Sequence, residues 1–175
     1  MMKRILLLAL SLVLITTANL KSQNVNPNTE IIIGEGTNTT TSLPINTNYR
    51  YNYSQQLYLA SEMGGGSVID KIYLQYMSAE TTRTMDIYMG NTYKTSFSSG
   101  SAHVSLEDMS LVFSGTITFN NSSEWFEIIL DTPFVYDGVS SLVIAFDDNT
   151  GSYTSSYAFK YHDNSNYCSL YYTSD

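Results

Sequence analysis

The chain has 175 residues, with 8 Lys+Arg against 16 Asp+Glu and a formal charge of −8. So acidic a chain lacks the basic footprint that phosphate backbones need, which argues against nucleic acid as a partner and disfavours anionic membrane surfaces. Its one cysteine, Cys168, excludes an internal disulfide, so packing alone must hold the fold.

The N-terminus reads MMKR, then ILLLALSLVLI, then small and polar residues. Lys3 and Arg4 form a basic start, and Ile5 to Ile15 form an apolar run shorter than the ~20 residues that span a bilayer. Residues 1–23 therefore predict a signal peptide, cleaved after Ala18, Ser22 or Gln23, and an exported protein, secreted or at the cell surface. Losing Lys3, Arg4 and Lys21 lowers the basic count from 8 to 5 and the charge to −11. Residues 24–175 are one ordinary domain in length, with no second run long enough to span a membrane.

Helical periodicity is nearly absent; SLEDMS (105–110) is at most one or two turns. Alternation of period two runs through the rest, as half-buried strands require. In NYRYNYSQQLYLA, Tyr49, Tyr51, Tyr53, Leu57 and Leu59 share one face, expected inside. Arg50, Asn52, Ser54 and Gln56 share the other. The run is long for one strand, so a bulge or sheet switch is expected near Ser54–Gln56. After the GGG loop (64–66), SVIDKIYLQYM places Val68, Ile72, Leu74 and Tyr76 inward. TMDIYMG does so for Met85, Ile87 and Met89. LVFSGTITF does so for Leu111, Phe113, Ile117 and Phe119, with a turn or bulge at Ser114–Gly115. EWFEIIL buries Phe126, Ile128 and Leu130. SLVIAF is apolar on both faces, as a central strand should be. SSYAFKY buries Tyr157, Phe159 and Tyr161, and CSLYY closes the chain with Cys168, Leu170 and Tyr172 on its inward side. These eight to ten short strands predict an all-β protein: an antiparallel two-sheet β-sandwich, jelly-roll-like.

In order, TSLPINTNYRYNYSQQLYLASEMG, DIYMGNTYKTSFSS, SLVFSGTITF, EWFEIILDTPFVYDG, SLVIAFDDNTGSYTSSYAF and SLYYTSD cover nearly all of residues 31–175. This arrangement resembles a β-sandwich module that recurs in secreted and surface proteins of Gram-negative gut and oral anaerobes. The resemblance implies an adhesin-like or accessory module of jelly-roll type, often part of a multidomain chain, with no catalytic residues to carry over. Such modules usually continue past the YYTSD position with a Ser/Pro stretch and one last short strand. The chain therefore reads as truncated at its C-terminus, with an open sheet edge that could accept a strand.

Few residues point to chemistry. Calcium takes six to eight oxygens, and the corner FDDNTG offers Asp147, Asp148 and Asn149. Asp137 in YDG and Asp163 in HDN would have to converge on it. The EF-hand spacing is absent, and Asp, Asn and Gly are also turn formers, so a loop is the first reading and calcium the candidate ion; no other cofactor is implied. Trp125 alternates with the inward residues of its strand and is the candidate platform for a sugar ring, or else packs over an edge. His103 and His162 lie outside any catalytic motif. The expected function is a non-catalytic module binding glycan or protein, as a monomer or within a larger chain. A ligand-free structural spacer is the alternative.

Overall fold

A computed structural model describes residues 30–34, 38–120, 125–162 and 166–175. The expected signal peptide and Asp163 lie outside them. The strands are β1 (Asn38–Thr40), β2 (Tyr51–Tyr58), β3 (Ser67–Leu74), β4 (Thr81–Thr92), β5 (Ser110–Phe119), β6 (Phe126–Tyr136), β7 (Ser141–Asp148), β8 (Phe159–Tyr161) and β9 (Ser169–Ser174). One helical turn, α1 (Ala60–Met63), follows β2, and a 3-10 turn spans Leu106–Asp108.

Antiparallel pairing is nested: β4 with β5, β3 with β6, β2 with β7, and β1 with β8. This is a long hairpin rolled on itself, the jelly roll expected from the sequence. The larger sheet runs β5-β4-β7-β2-β9. In the other layer β3 pairs with β6, and its continuation joins β8 through the Tyr76–Phe159 bridge and the Lys160 N–H bond to Gln75 O. The order there is β6-β3-β8-β1, with β9 appended to the free side of β2.

The main core lies between the layers. Met85, Ile87 and Met89 of β4 meet Leu142, Ile144 and Phe146 of β7 and Ile128 and Leu130 of β6. At one end Tyr76, Phe119, Phe126 and Phe159 form an aromatic cluster, with Phe119 edge-on to Phe159 at 5.5 Å. β7 is buried on both faces, as its apolar run predicts.

Five strands differ from the sequence reading; in β8 and β9 the exceptions are Tyr161 and Tyr172, both expected inside and both exposed. In β3, Val68 is 50% exposed: the pairing with β6 slips between Ile69 and Lys71, where one residue of β3 stands against four of β6, and Ile69, not Val68, packs on the core ahead of Ile72. In β5 the bulge is at Val112, opposite Ile87 and Tyr88, rather than at Ser114–Gly115. It turns Val112 inward and leaves Leu111 48% exposed. In β2 the alternation holds from Asn52 to Tyr58 with no bulge, but the faces are exchanged. Its register against β7 sets Ser54 opposite Phe146 and Gln56 opposite Ile144, so the polar side points between the layers. The segment Pro44–Thr47 passes beneath it, and the Ser54 hydroxyl donates to Pro44 O.

The tyrosine side of β2 is covered from outside by the long β4–β5 connection, residues 93–109. Leu57, Val143 and Leu170 from the sheet, with Phe97 and Val104 from the connection, make a second, smaller core. Cys168 packs against this cluster and is half-buried. A sandwich with two cores buries both faces of β2, so hydrophobicity alone cannot say which face lies between the sheets.

Candidate binding groove

The acidic corner at the end of β7 is resolved by parity. Asp148 follows Leu142, Ile144 and Phe146 on the inner face, and Arg83 precedes Met85 and Ile87 on the inner face of β4. The two meet with both side chains fully buried. Arg83 donates from Nε at 2.8 Å and from Nη2 at 2.6 Å to Asp148 Oδ2, from Nη1 to Ser152 O, and from Nη2 to Tyr49 O. Asp148 Oδ1 accepts from the backbone and hydroxyl of Thr150. The corner is thus a staple that fixes the β7–β8 loop and the approach to β2.

Among the described residues, Asp137 is not brought to the corner that holds Asp147, Asp148 and Asn149. Asp137 sits in the β6–β7 turn, at the other end of β7, a strand length of roughly 25 Å away. Its carboxylate accepts from Val139 N at 2.9 Å and Ser140 N at 2.8 Å, which lowers its pKa below the ordinary value. Gly138, at φ +78°, leaves no room for a Cβ against Gly66. Asp147 points to the outer face beside Asp86 and Tyr53, and Asn149 bonds back to Asp147 O. Among the described residues no three acidic, histidine or cysteine side chains are grouped to hold a metal.

Trp125 stands just before β6 and is 37% exposed. It leads into β6, which pairs with β3 in the other layer and not with the larger sheet that holds β2 and β9.

The outer face of the larger sheet carries what the sequence reading turned inward. Tyr53 of β2 lies opposite Tyr172 of β9, with ring centroids 6.4 Å apart and planes tilted by 33°. His103, Ser105, Leu106 and Glu107 of the β4–β5 connection form the facing wall, and together they bound an open groove of about 540 Å³. Next to Tyr53 across the ladder stands Asp147, and next to that Asp86. Burial raises the Asp147 pKa above the usual carboxylate range, opposed by its bond to Asn149 and reinforced by the Asp86 and Asp148 charges.

Gln55 holds this wall in place. Fully buried, it donates from Nε2 to Val104 O and accepts at Oε1 from Val104 N, as a strand partner would. The same Nε2 donates to the Tyr53 hydroxyl at 2.7 Å. One side chain therefore fixes both the wall and one ring of the groove. Ser105 caps the 3-10 turn by accepting from Glu107 N, which sets Leu106 and Glu107 over the tyrosines. A second, smaller depression of about 270 Å³ lies at the opposite end, lined by Leu59, Tyr93, Val139 and Ser141.

The sequence signals for this site were the length of the 93–109 connection, unusual for a loop without strands, and the paired glutamines inside a strand. No protein-family model, curated protein or solved structure matches the chain.

Proposed function

We propose that the protein is an exported, non-catalytic binding module, adhesin-like in character, and that its ligand is a glycan held on the outer face of the larger sheet. The observation that carries this reading is the Tyr53–Tyr172 pair facing an open groove, with Tyr53 held by Gln55 and residues 103–107 as the wall. A sugar offers an apolar ring face and a rim of hydroxyls. Tyrosine offers a flat apolar face and a polar tip. Carboxylates are acceptors for sugar hydroxyls, and Asp147, Asp86 and Glu107 border or line the groove. A concave surface with aromatic walls and a few convergent polar groups is the usual form of a small-ligand site.

Glycan-array screening followed by calorimetric titration tests this. The reading predicts at least one bound oligosaccharide, with Tyr53→Ala and Tyr172→Ala each weakening it about tenfold, or ~1.4 kcal/mol. Binding that survives both substitutions, or no glycan bound at all, would overturn it and favour a spacer domain.

A further inference from the structure

The floor of the groove does not end at its tyrosines. In register across the outer face stand Tyr172 of β9, Tyr53 of β2, Asp147 of β7 and Asp86 of β4. Strands lie about 4.8 Å apart, so the row spans about 14 Å: two aromatic rings, then two carboxylates. The wall crosses the sheet in the same direction. Val104 is held over Gln55 of β2, and the Asp108 carbonyl lies against Gly90 of β4. Tyr88, two residues along β4 from Asp86, shares its face and flanks the carboxylates on the side away from Tyr53. Burial raises the pKa of both the Tyr53 and Tyr88 hydroxyls, and the nearby Asp147 charge adds to the rise.

Asp86 and Asp147 face each other directly. Like charges placed so are destabilising. Among the described residues the ion pairs are Lys71–Glu127 in the other layer and the buried Arg83–Asp148 on the inner face, so neither carboxylate has a counter-charge. A metal ion does not suit the place. Calcium takes six to eight oxygens, and no third acidic or histidine side chain among the described residues is close enough to complete a set. An ammonium group does suit it. It carries three donors for the carboxylate oxygens, and aromatic faces beside it attract the charge.

We infer that the groove selects glycans carrying a free amine: a sugar ring lies on Tyr172 and Tyr53, and the ammonium group sits over Asp147 and Asp86. The inference rests on the glycan reading above and adds the charge class of the ligand. The same carboxylates, with Glu107 in the wall, repel acidic sugars, so they discriminate as well as bind.

Calorimetric titration with a glucosamine oligomer, its N-acetylated counterpart and a uronic acid oligomer of the same length tests this. The free-amine oligomer should bind about tenfold more tightly than the acetylated one, and the acidic one least. Added salt should shrink the preference by screening. Asp147→Asn and Asp86→Asn should each bring the amine and acetyl affinities toward equality, while the melting temperature stays level or rises because a facing like-charge pair is gone. Equal affinity for the two forms, or a preference that survives both Asn substitutions and high salt, would overturn the inference. Saccharides bound with no preference for the amine leave the glycan reading standing and sink this one alone. No saccharide bound, or a lysine-rich peptide bound in place of every saccharide, sinks both.

Discussion

Removing Asp148 should be among the most damaging single changes outside the apolar core. Both partners of the Arg83–Asp148 pair are 0% exposed, and the guanidinium directs two of its donors at one carboxylate oxygen. Asp148→Ala leaves Arg83 with only the carbonyls of Tyr49 and Ser152, and a buried, uncompensated cation. Breaking a buried pair from one side costs about 3–5 kcal/mol. At about 2–4 °C per kcal/mol for a domain of this size, the melting temperature should fall by roughly 6–20 °C. Replacing both partners with apolar residues, as in Arg83→Met with Asp148→Leu, removes the stranded charge and should recover much of that loss. Thermal and urea unfolding of the two single variants and the double variant gives the full cycle. A loss below about 1 kcal/mol for Asp148→Ala would mean the pair is hydrated in solution, and the reasoning would fail.

Gln55→Ala should cost about 1–3 kcal/mol, because Val104 N and O lose their partner inside the fold. It should also release residues 93–109, seen as faster limited proteolysis there. At alkaline pH, burial pushes the Tyr58 hydroxyl up to about 12 and raises Tyr76 further. Groups raised in the folded state contribute stability that is complete below about pH 10 and lost as pH rises through their folded values. Melting temperature should therefore drop steeply above pH 10, with a late tyrosinate absorbance step that coincides with unfolding. Because Asp148 is committed to Arg83 and Thr150, millimolar calcium should leave the melting temperature as chelator does. A calcium-dependent rise of several degrees would restore the metal reading of the corner.

The pattern of the sequence contained the roll more fully than it contained the site. Met85, Ile87 and Met89 fixed the inner face of β4, and the same parity carries Arg83 inward. Leu142, Ile144 and Phe146 likewise carry Asp148 inward. A charged residue in step with an apolar face, once on each of two strands, was a legible sign of a buried pair. The faces of β2 were not legible, because each finds cover: Ser54 meets Pro44 O between the sheets, and Leu57 meets Phe97 and Val104 outside. Which cover belongs to the main core depends on where a long connection folds back, a tertiary fact with no local signature. The groove inherits that ambiguity, since Tyr53 and Tyr172 read as core residues until the sheet is given its outer side. The bulge at Val112 and the slip between β3 and β6 were hidden for a related reason: in each, the partner strand, not the strand's own sequence, sets the register.

The central claim is that ligand is held between Tyr53, Tyr172 and the 103–107 wall. Trp125 is the chain's one tryptophan and lies on the far side of the sandwich. A titration with a bound oligosaccharide, followed by residue-resolved NMR and by tryptophan fluorescence in the same samples, tests the claim most directly. The account predicts saturable shifts at Tyr53, Gln55, His103, Leu106 and Tyr172 with unchanged tryptophan emission. Quenching or a shift of that emission, with the groove amides unmoved, would place the ligand at Trp125 and contradict it.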